Sequence, residues 1–149
     1  MDERTRYRYT ERCMYDWLQN KARIEILSFD LRTLRQYGDV RAQGYLELTR
    51  RNGTHSDPVA EYGHECQRLE AELLRLSRIT EPISRMLDDF AVGLEVEYSK
   101  CVVYKAVFEG VYSGRGTLRA VADELGISVK TCRKRRVELV RICGEYLGF

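Results

Sequence analysis

The stretch from Leu118 to Cys143 constrains this chain most, because it contains two helical patterns separated by a glycine turn. Thr117 can cap the first helix with its hydroxyl group, and Ser128 can cap the second in the same way. Gly126 lies between them and can adopt a positive φ without steric cost, which ends the first helix and turns the chain. The spacing predicts a helix-turn-helix, whose pattern is carried by Ala122, Gly126, Ile127 and Cys132.

The second helix of this pattern has an apolar side and a basic side. At about 100° per residue, the apolar side holds Val129, Cys132, Leu139, Val140, Cys143 and Leu147. The other side holds Lys130, Arg133, Lys134, Val137 and Arg141. Six basic residues and one acidic residue between positions 130 and 141 give a net charge of +5. A solvated basic surface is the alternative interpretation, but the turn pattern directly before it favours DNA binding. The helix N-terminus adds backbone N–H groups that favour phosphate.

Two arginines depart from the usual pattern of such a helix. Position 135 usually carries an apolar residue, whereas here it is Arg135, and Arg136 also projects toward the packed side. Two explanations remain open. The aliphatic stems could lie along the edge of the core with the guanidinium groups in solvent, or the helix could be rotated by one residue relative to our face assignment.

Charge is distributed unevenly along the chain. The whole sequence has a formal net charge of +2, but residues 115–149 carry eight basic and four acidic side chains, which is +4 and leaves −2 for the rest. The positive charge therefore coincides with the predicted helix-turn-helix, which is the asymmetry expected of a nucleic-acid-binding protein. Only two prolines occur in 149 residues, which favours long helices.

Nothing in the sequence predicts a metal, a cofactor or an enzyme. The five cysteines are odd in number and include no CxxC pair, which is typical of unpaired thiols in a cytoplasmic protein. His64 and Cys66 have no second ligand pair at metal spacing, and His55 falls in a connection. No Gly-rich phosphate loop or nucleophile with a partner histidine is visible. No apolar run reaches about 18 residues and no signal peptide is present, so we expect no membrane association.

Two long N-terminal helices are predicted from apolar residues that alternate by three and four positions. The first set is Cys13, Trp17, Asn20, Ile24, Leu27, Leu31 and Leu34, and the second is Tyr62, Cys66, Leu69, Leu73, Leu76, Thr80, Ile83, Leu87 and Phe90. Tyr37-Gly38-Asp39 is expected to end the first helix, and residues 38–57 to form a flexible connection. Ser56-Asp57-Pro58 is a start signal for the second helix, and Pro82 is expected to kink or split it.

We therefore predict an all-α fold with a coiled-coil-like helical hairpin over residues 1–92 and a helix-turn-helix domain over 93–149. The hairpin seams predict packing within the chain, or a homodimer through the long helices, or both. A hinge at 91–97 leads into a helix over 97–109 that Gly110 caps. Residues 111–116 are expected to form a loop that carries Arg115 toward a phosphate.

The C-terminal fifty residues resemble region 4 of sigma-70-type factors. The resemblance lies in the run from Val102 to Gly110, then Thr117-Leu118, then the run from Ala122 to Ser128. Together with the two long helices and the Ser56-Asp57-Pro58-Val59 opening, it resembles the phage-type late-gene regulators of the ArpU and RinA group. That resemblance implies a phage or prophage origin, a bacterial or phage-infected cytoplasm, and a transcription activator for which RNA polymerase is a further candidate partner. Cys132, Arg135 and the longer loop at 111–116 depart from the group's pattern.

The leading hypothesis is a sequence-specific regulator of transcription that binds double-stranded DNA. Its candidate contact residues are Arg115, Arg119, Ser128, Lys130, Thr131, Arg133, Lys134, Arg136, Val137 and Arg141. Lys130, Arg133 and Lys134 would meet base edges or phosphates in the major groove, while Arg119 and Thr131 would set the register on the backbone. The alternatives are a small terminase-like DNA-packaging subunit, which would assemble into rings, and a sigma-factor-like helical interaction protein that binds no DNA.

Overall fold

The described part of the chain is built from helices. A computed structural model describes residues 1–52, 58–93 and 98–149, with the backbone alone at 37–52, 58–59 and 98. Its elements in chain order are α1 (Glu3–Asn52), α2 (Pro58–Val92), α3 (Tyr98–Val107), a π-helical segment (Phe108–Ser113), α4 (Leu118–Leu125) and α5 (Val129–Tyr146). No strand occurs in these three ranges, so the predicted all-α fold class is confirmed.

The first helix is longer than predicted. α1 continues to Asn52, so the expected helix end at Tyr37-Gly38-Asp39 is wrong. The physical reason is that each glycine inside a helix costs only about 1 kcal/mol relative to alanine, so a helix of this length tolerates both Gly38 and Gly44. The flexibility of residues 38–57 stays a prediction, and 53–57, with the expected cap residues Ser56 and Asp57, lie outside the described residues. α2 begins at Pro58, as its start signal predicted.

The chain divides into two compact units that differ from the predicted boundary at residue 92. Unit 1 contains Met1–Asn20 and Arg78–Phe149, and unit 2 contains Lys21–Ser77. The reason is that one buried cluster takes Met14 from α1 and Met86 from α2 together with Leu139 from α5. The helix-turn-helix therefore shares its hydrophobic core with the start of α1 and the end of α2.

In unit 2, α1 and α2 pack on each other through the predicted seams. The buried side chains are Leu27 and Leu31 from α1 and Leu69 and Leu76 from α2. An ion pair joins Arg23 to Glu72 at 3.3 Å, and a second joins Arg35 to Glu70. Residues later in α1 thus pair with residues earlier in α2, which makes the two helices antiparallel.

In unit 1, α2 continues through Pro82 without a break. Of the expected kink or split, the split did not occur, and the kink stays a prediction. Pro82 has no N–H to donate to the preceding turn. Close by, the Ser84 hydroxyl donates to the Thr80 carbonyl oxygen at 3.0 Å and accepts a hydrogen bond from the Trp17 indole N–H at 3.1 Å. The Trp17 ring packs edge-on against Phe108 with 5.3 Å between ring centroids.

The segment after α3 is helical as far as Ser113, so the predicted helix end at Gly110 is wrong. Of the predicted loop at 111–116, residues 114–116 lie outside a helix. The chain widens into π-helix at Phe108–Ser113, and the Gly114 N–H donates to the Glu109 carbonyl oxygen at 2.8 Å. Tyr112 is buried here. Gly110 is required because a Cβ at this position would overlap the Cγ2 of Val121 in α4. The glycine thus serves close helix packing rather than helix termination.

Candidate nucleic-acid interface

The two helices of the predicted helix-turn-helix are joined by the expected turn. The Thr117 hydroxyl accepts a hydrogen bond from the Ala120 N–H at 3.2 Å and caps α4. Gly126 adopts the left-handed conformation with φ of 68° and ends α4. The Ser128 hydroxyl accepts a hydrogen bond from the Thr131 N–H at 3.1 Å and caps α5. The local signals in the sequence therefore placed both helix starts and the turn correctly.

Small and apolar residues hold α4 against α5. Ala122 and Cys132 are fully buried where the helices cross, and the Cys132 Sγ lies 3.8 Å from the Leu118 carbonyl oxygen. Ile127 packs half-buried against the same core. On α5, the buried residues are Cys132, Leu139, Val140, Cys143 and Gly144, so the predicted apolar side is confirmed and no rotation of the helix is needed.

Three basic side chains of α5 project into solvent at its first two turns. Lys130, Arg133 and Lys134 are exposed and form no ion pair or hydrogen bond within the described part of the chain. Arg133 and Lys134 follow Lys130 by three and four residues, so the three side chains share one side of the helix. Arg119 on α4 and Arg115 before it are exposed as well, and Arg115 has a φ of 51°. These five side chains are the exposed cations of the predicted set that form no ion pair within the described residues.

Ser128 and Thr131 form a small hydroxyl pair at the N-terminus of α5. The Ser128 Oγ donates to the Thr131 Oγ1 at 2.8 Å while it accepts the Thr131 N–H. Ser128 is therefore occupied as a cap. The Thr131 hydroxyl keeps its own proton and can donate it outward to a phosphate oxygen.

Arg136 does not belong to the exposed set, which corrects its assignment as a DNA contact. Its Nη2 lies 2.6 Å from the Glu11 Oε1, and its Nε donates to the Tyr112 hydroxyl oxygen at 3.1 Å. The guanidinium carbon stands 5.6 Å from the Tyr112 ring centroid. Burial alone would lower the pKa of Arg136, but the hydrogen bonds to Tyr112 and Glu11 outweigh it and raise the pKa above its ordinary value. This cation is tied to α1 because position 136 faces the packed side of α5.

Arg135 is likewise paired inside the protein. Its Nη1 lies 2.6 Å from the Glu138 Oε2, and the Tyr104 hydroxyl donates to the same oxygen at 2.8 Å. Burial, followed by this hydrogen bond, raises the pKa of Tyr104 to about 12. The usual apolar residue at position 135 is thus replaced by a half-buried ion pair with its guanidinium held by Glu138.

Val137 and Arg141 are exposed and lie beside the start of α1. Both line a groove of about 670 Å³ between α1 and α5, together with Arg4, Arg6 and Arg8 from α1. The Arg141 Nη2 lies 3.6 Å from the Glu3 Oε1, although both side chains are largely exposed. The sequence did not reveal the three N-terminal arginines as part of this surface, because nothing local indicates that α1 crosses α5.

The buried thiols of unit 1 are not activated by their surroundings. Burial raises the pKa of the Cys143 thiol to about 12 and also raises the pKa of Cys132 and Cys13, so these thiols stay protonated. No cluster of three or more metal-ligand side chains occurs among the residues described. Across the same residues, no helix is both long and apolar enough to cross a bilayer.

Comparisons with known proteins identify no relative of this chain. No protein-family model, curated protein sequence or solved structure matches this chain. A functional proposal for this protein therefore rests on the placement and charge of the side chains in unit 1.

Proposed function

We propose that this protein is a sequence-specific DNA-binding regulator of transcription that reads the major groove with the first two turns of α5. One observation carries the proposal: Lys130, Arg133 and Lys134 project from a capped helix directly after a left-handed glycine turn, without an ion pair among the described residues. In this class of motif, residues near the N-terminus of the second helix contact base edges while the helix before it crosses the backbone.

The arrangement of charged and hydroxyl side chains on α4 and α5 supports two roles, base contact and positioning on the phosphates. Lysine and arginine donate to the O6 and N7 of guanine, the commonest specific contact, so Lys130, Arg133 and Lys134 are the proposed readers. Arg119 and Thr131 would meet the phosphates that border the groove, so we assign them to positioning. The proposal is a binding role rather than a catalytic one.

The regulated genes, the cellular setting and the protein partner are proposed from the resemblance to the ArpU and RinA group. We propose activation of phage or prophage late genes in a bacterial cytoplasm, with RNA polymerase as a further partner. A homodimer through the long helices is proposed as well, since Ile26 and Phe29 of α1 are 52% and 62% exposed and three residues apart. Sedimentation at micromolar concentration tests the dimer, and a strict monomer would exclude it.

The test compares two charge-matched double variants in a mobility-shift assay. DNA fragments selected from a random pool serve as the specific probe, and a random-sequence duplex as the non-specific one. Arg133→Ala/Lys134→Ala should lose about 1–3 kcal/mol of discrimination for each base contact removed. Arg32→Ala/Arg75→Ala, which removes the same charge from exposed positions in unit 2, should bind as the wild type does.

Three outcomes separate the proposal from its alternatives. Unchanged mobility shifts for Arg133→Ala/Lys134→Ala would show that α5 is not the reader. Failure of the wild-type protein to bind any duplex at low salt would favour the helical interaction protein instead. A ring-sized particle in a mass measurement would favour the packaging subunit over the regulator.

A further inference from the structure

The start of α1 is fixed beside the second half of α5 by specific contacts within unit 1. Gly144 is buried, and a Cβ there would lie 3.4 Å from the Thr10 Oγ1, so the two helices cross closely at this point. The Glu11 carboxylate accepts a hydrogen bond from the Arg136 Nη2 at 2.6 Å, and this contact anchors α1 at a second point on α5. These contacts set the position of the first turns of α1 relative to α5.

Those first turns lie next to the side of α5 that carries the exposed cations. Val137 and Arg141 follow Lys130 by seven and eleven residues, so all three fall on one stripe at about 100° per residue. Val137 and Arg141 line the groove together with Arg4 and Arg8. The N-terminal arginines therefore flank the same stripe that presents Lys130 at its other end.

The distance from Lys130 to Arg141 along α5 exceeds the width of the major groove. Arg141 lies about 16 Å from Lys130 along the helix axis, at about 1.5 Å per residue. The major groove of B-DNA is about 12 Å wide. A helix that crosses the groove obliquely with Lys130 inside it would therefore carry the side chains beside Arg141 beyond the bases, to the sugar–phosphate backbone.

The groove has an excess of positive charge that is not ion-paired. Arg4, Arg6 and Arg8 are exposed and form no ion pair within the described residues. The acidic side chains that line the groove are Glu3, Glu11 and Glu145. Glu11 is paired with Arg136 and Glu3 with Arg141. Three guanidinium groups therefore face the carboxylate of Glu145 in the groove and that of Asp2, which interacts electrostatically with Arg8 outside it.

We propose that Arg4 and Arg8 contact the sugar–phosphate backbone of the duplex that receives α5, so that the start of α1 forms a second part of the DNA-binding surface. This rests on the proposed function. The contact would be independent of base sequence, because guanidinium–phosphate pairs fix register and affinity without reading bases. It also gives the close α1–α5 crossing a role beyond stability.

The experiment measures how DNA affinity depends on salt, by anisotropy of a fluorescent random-sequence duplex. Arg4→Ala/Arg8→Ala is compared with Arg12→Ala/Arg85→Ala, which removes the same charge from exposed positions that do not line the groove. Losing two phosphate contacts should make the slope of log affinity against log salt shallower by about 1.8. From about 50 to about 200 mM salt, the wild-type Kd should therefore rise about 12-fold more than that of the variant.

The control variant should keep the wild-type slope, and circular dichroism should show that both variants are folded. A wild-type slope for Arg4→Ala/Arg8→Ala would overturn the inference. Arg133→Ala/Lys134→Ala separates the two proposals. If that variant loses binding while Arg4→Ala/Arg8→Ala keeps the wild-type slope, α5 binds DNA and α1 does not. If the wild-type protein binds no duplex, both proposals are wrong.

Discussion

Replacing Arg136 by alanine should destabilise the protein while leaving its DNA affinity unchanged. The change removes the 2.6 Å ion pair to Glu11 and the 3.1 Å hydrogen bond to Tyr112. The paired side chains are 28% and 21% exposed, so the cost should fall below the roughly 3–5 kcal/mol of breaking a fully buried pair. Hydrogen bonds to charged groups contribute about 1.5–3 kcal/mol. We therefore expect a loss of about 2–3 kcal/mol, which lowers Tm by about 5–10 °C for a chain of this size.

Thermal melts followed by circular dichroism measure the loss, and anisotropy well below the melting temperature measures DNA affinity. The double variant Arg136→Met/Glu11→Leu should recover much of the stability, because no unpaired charge remains. The reasoning is refuted if Arg136→Ala melts like the wild type and yet binds DNA more weakly. That result would mean that the guanidinium of Arg136 leaves Glu11 to contact DNA.

Three further predictions concern the packing, the turn and the pH dependence of unit 1. Gly110→Ala should lower the free energy of unfolding by about 1–3 kcal/mol through overpacking. The loss should be much smaller in a Val121→Ala background, where the overlapping Cγ2 is gone. Urea unfolding of the wild type, the two single variants and the double variant measures this coupling. Gly126→Ala should cost about 1–2 kcal/mol because of its φ of 68°, and Gly126→Asn less; equal unfolding midpoints would contradict this. The folded protein raises the pKa of Tyr104 to about 12, whereas the pKa in the unfolded chain is about 10. The contribution of this phenol to the free energy of unfolding is therefore fully present below a pH of about 10 and is lost as the pH rises through about 12, by at most about 1.4 kcal/mol per pH unit. Tyr104→Phe should flatten that decline in unfolding measurements across this range.

Local signals in the sequence predicted the helix-turn-helix well. Thr117, Gly126 and Ser128 act on backbone groups within three or four residues, so their roles follow from residue type and spacing alone. The seams of the long helices were also readable, since Leu27 and Leu76 are buried where the three-and-four alternation placed them. Such patterns depend only on helix geometry.

Contacts between distant parts of the chain could not be predicted in the same way. Arg136 and Glu11 are 125 residues apart, and no local pattern links a C-terminal arginine to the start of α1. The division into units was missed for the same reason, because Met14 carries no sign that it completes the core of the helix-turn-helix. The helix end expected near Gly38 failed because one weak helix former was given too much weight.

The most direct test of the central claim is an amide NMR titration of isotope-labelled protein with a random-sequence duplex at low salt. If α5 enters the major groove, the largest shift changes should fall on residues 128–134, at the turn and the first two turns of α5. Smaller changes should fall on Arg119 and the first turns of α1. Shift changes confined to unit 2, or none at all with excess duplex, would contradict the account.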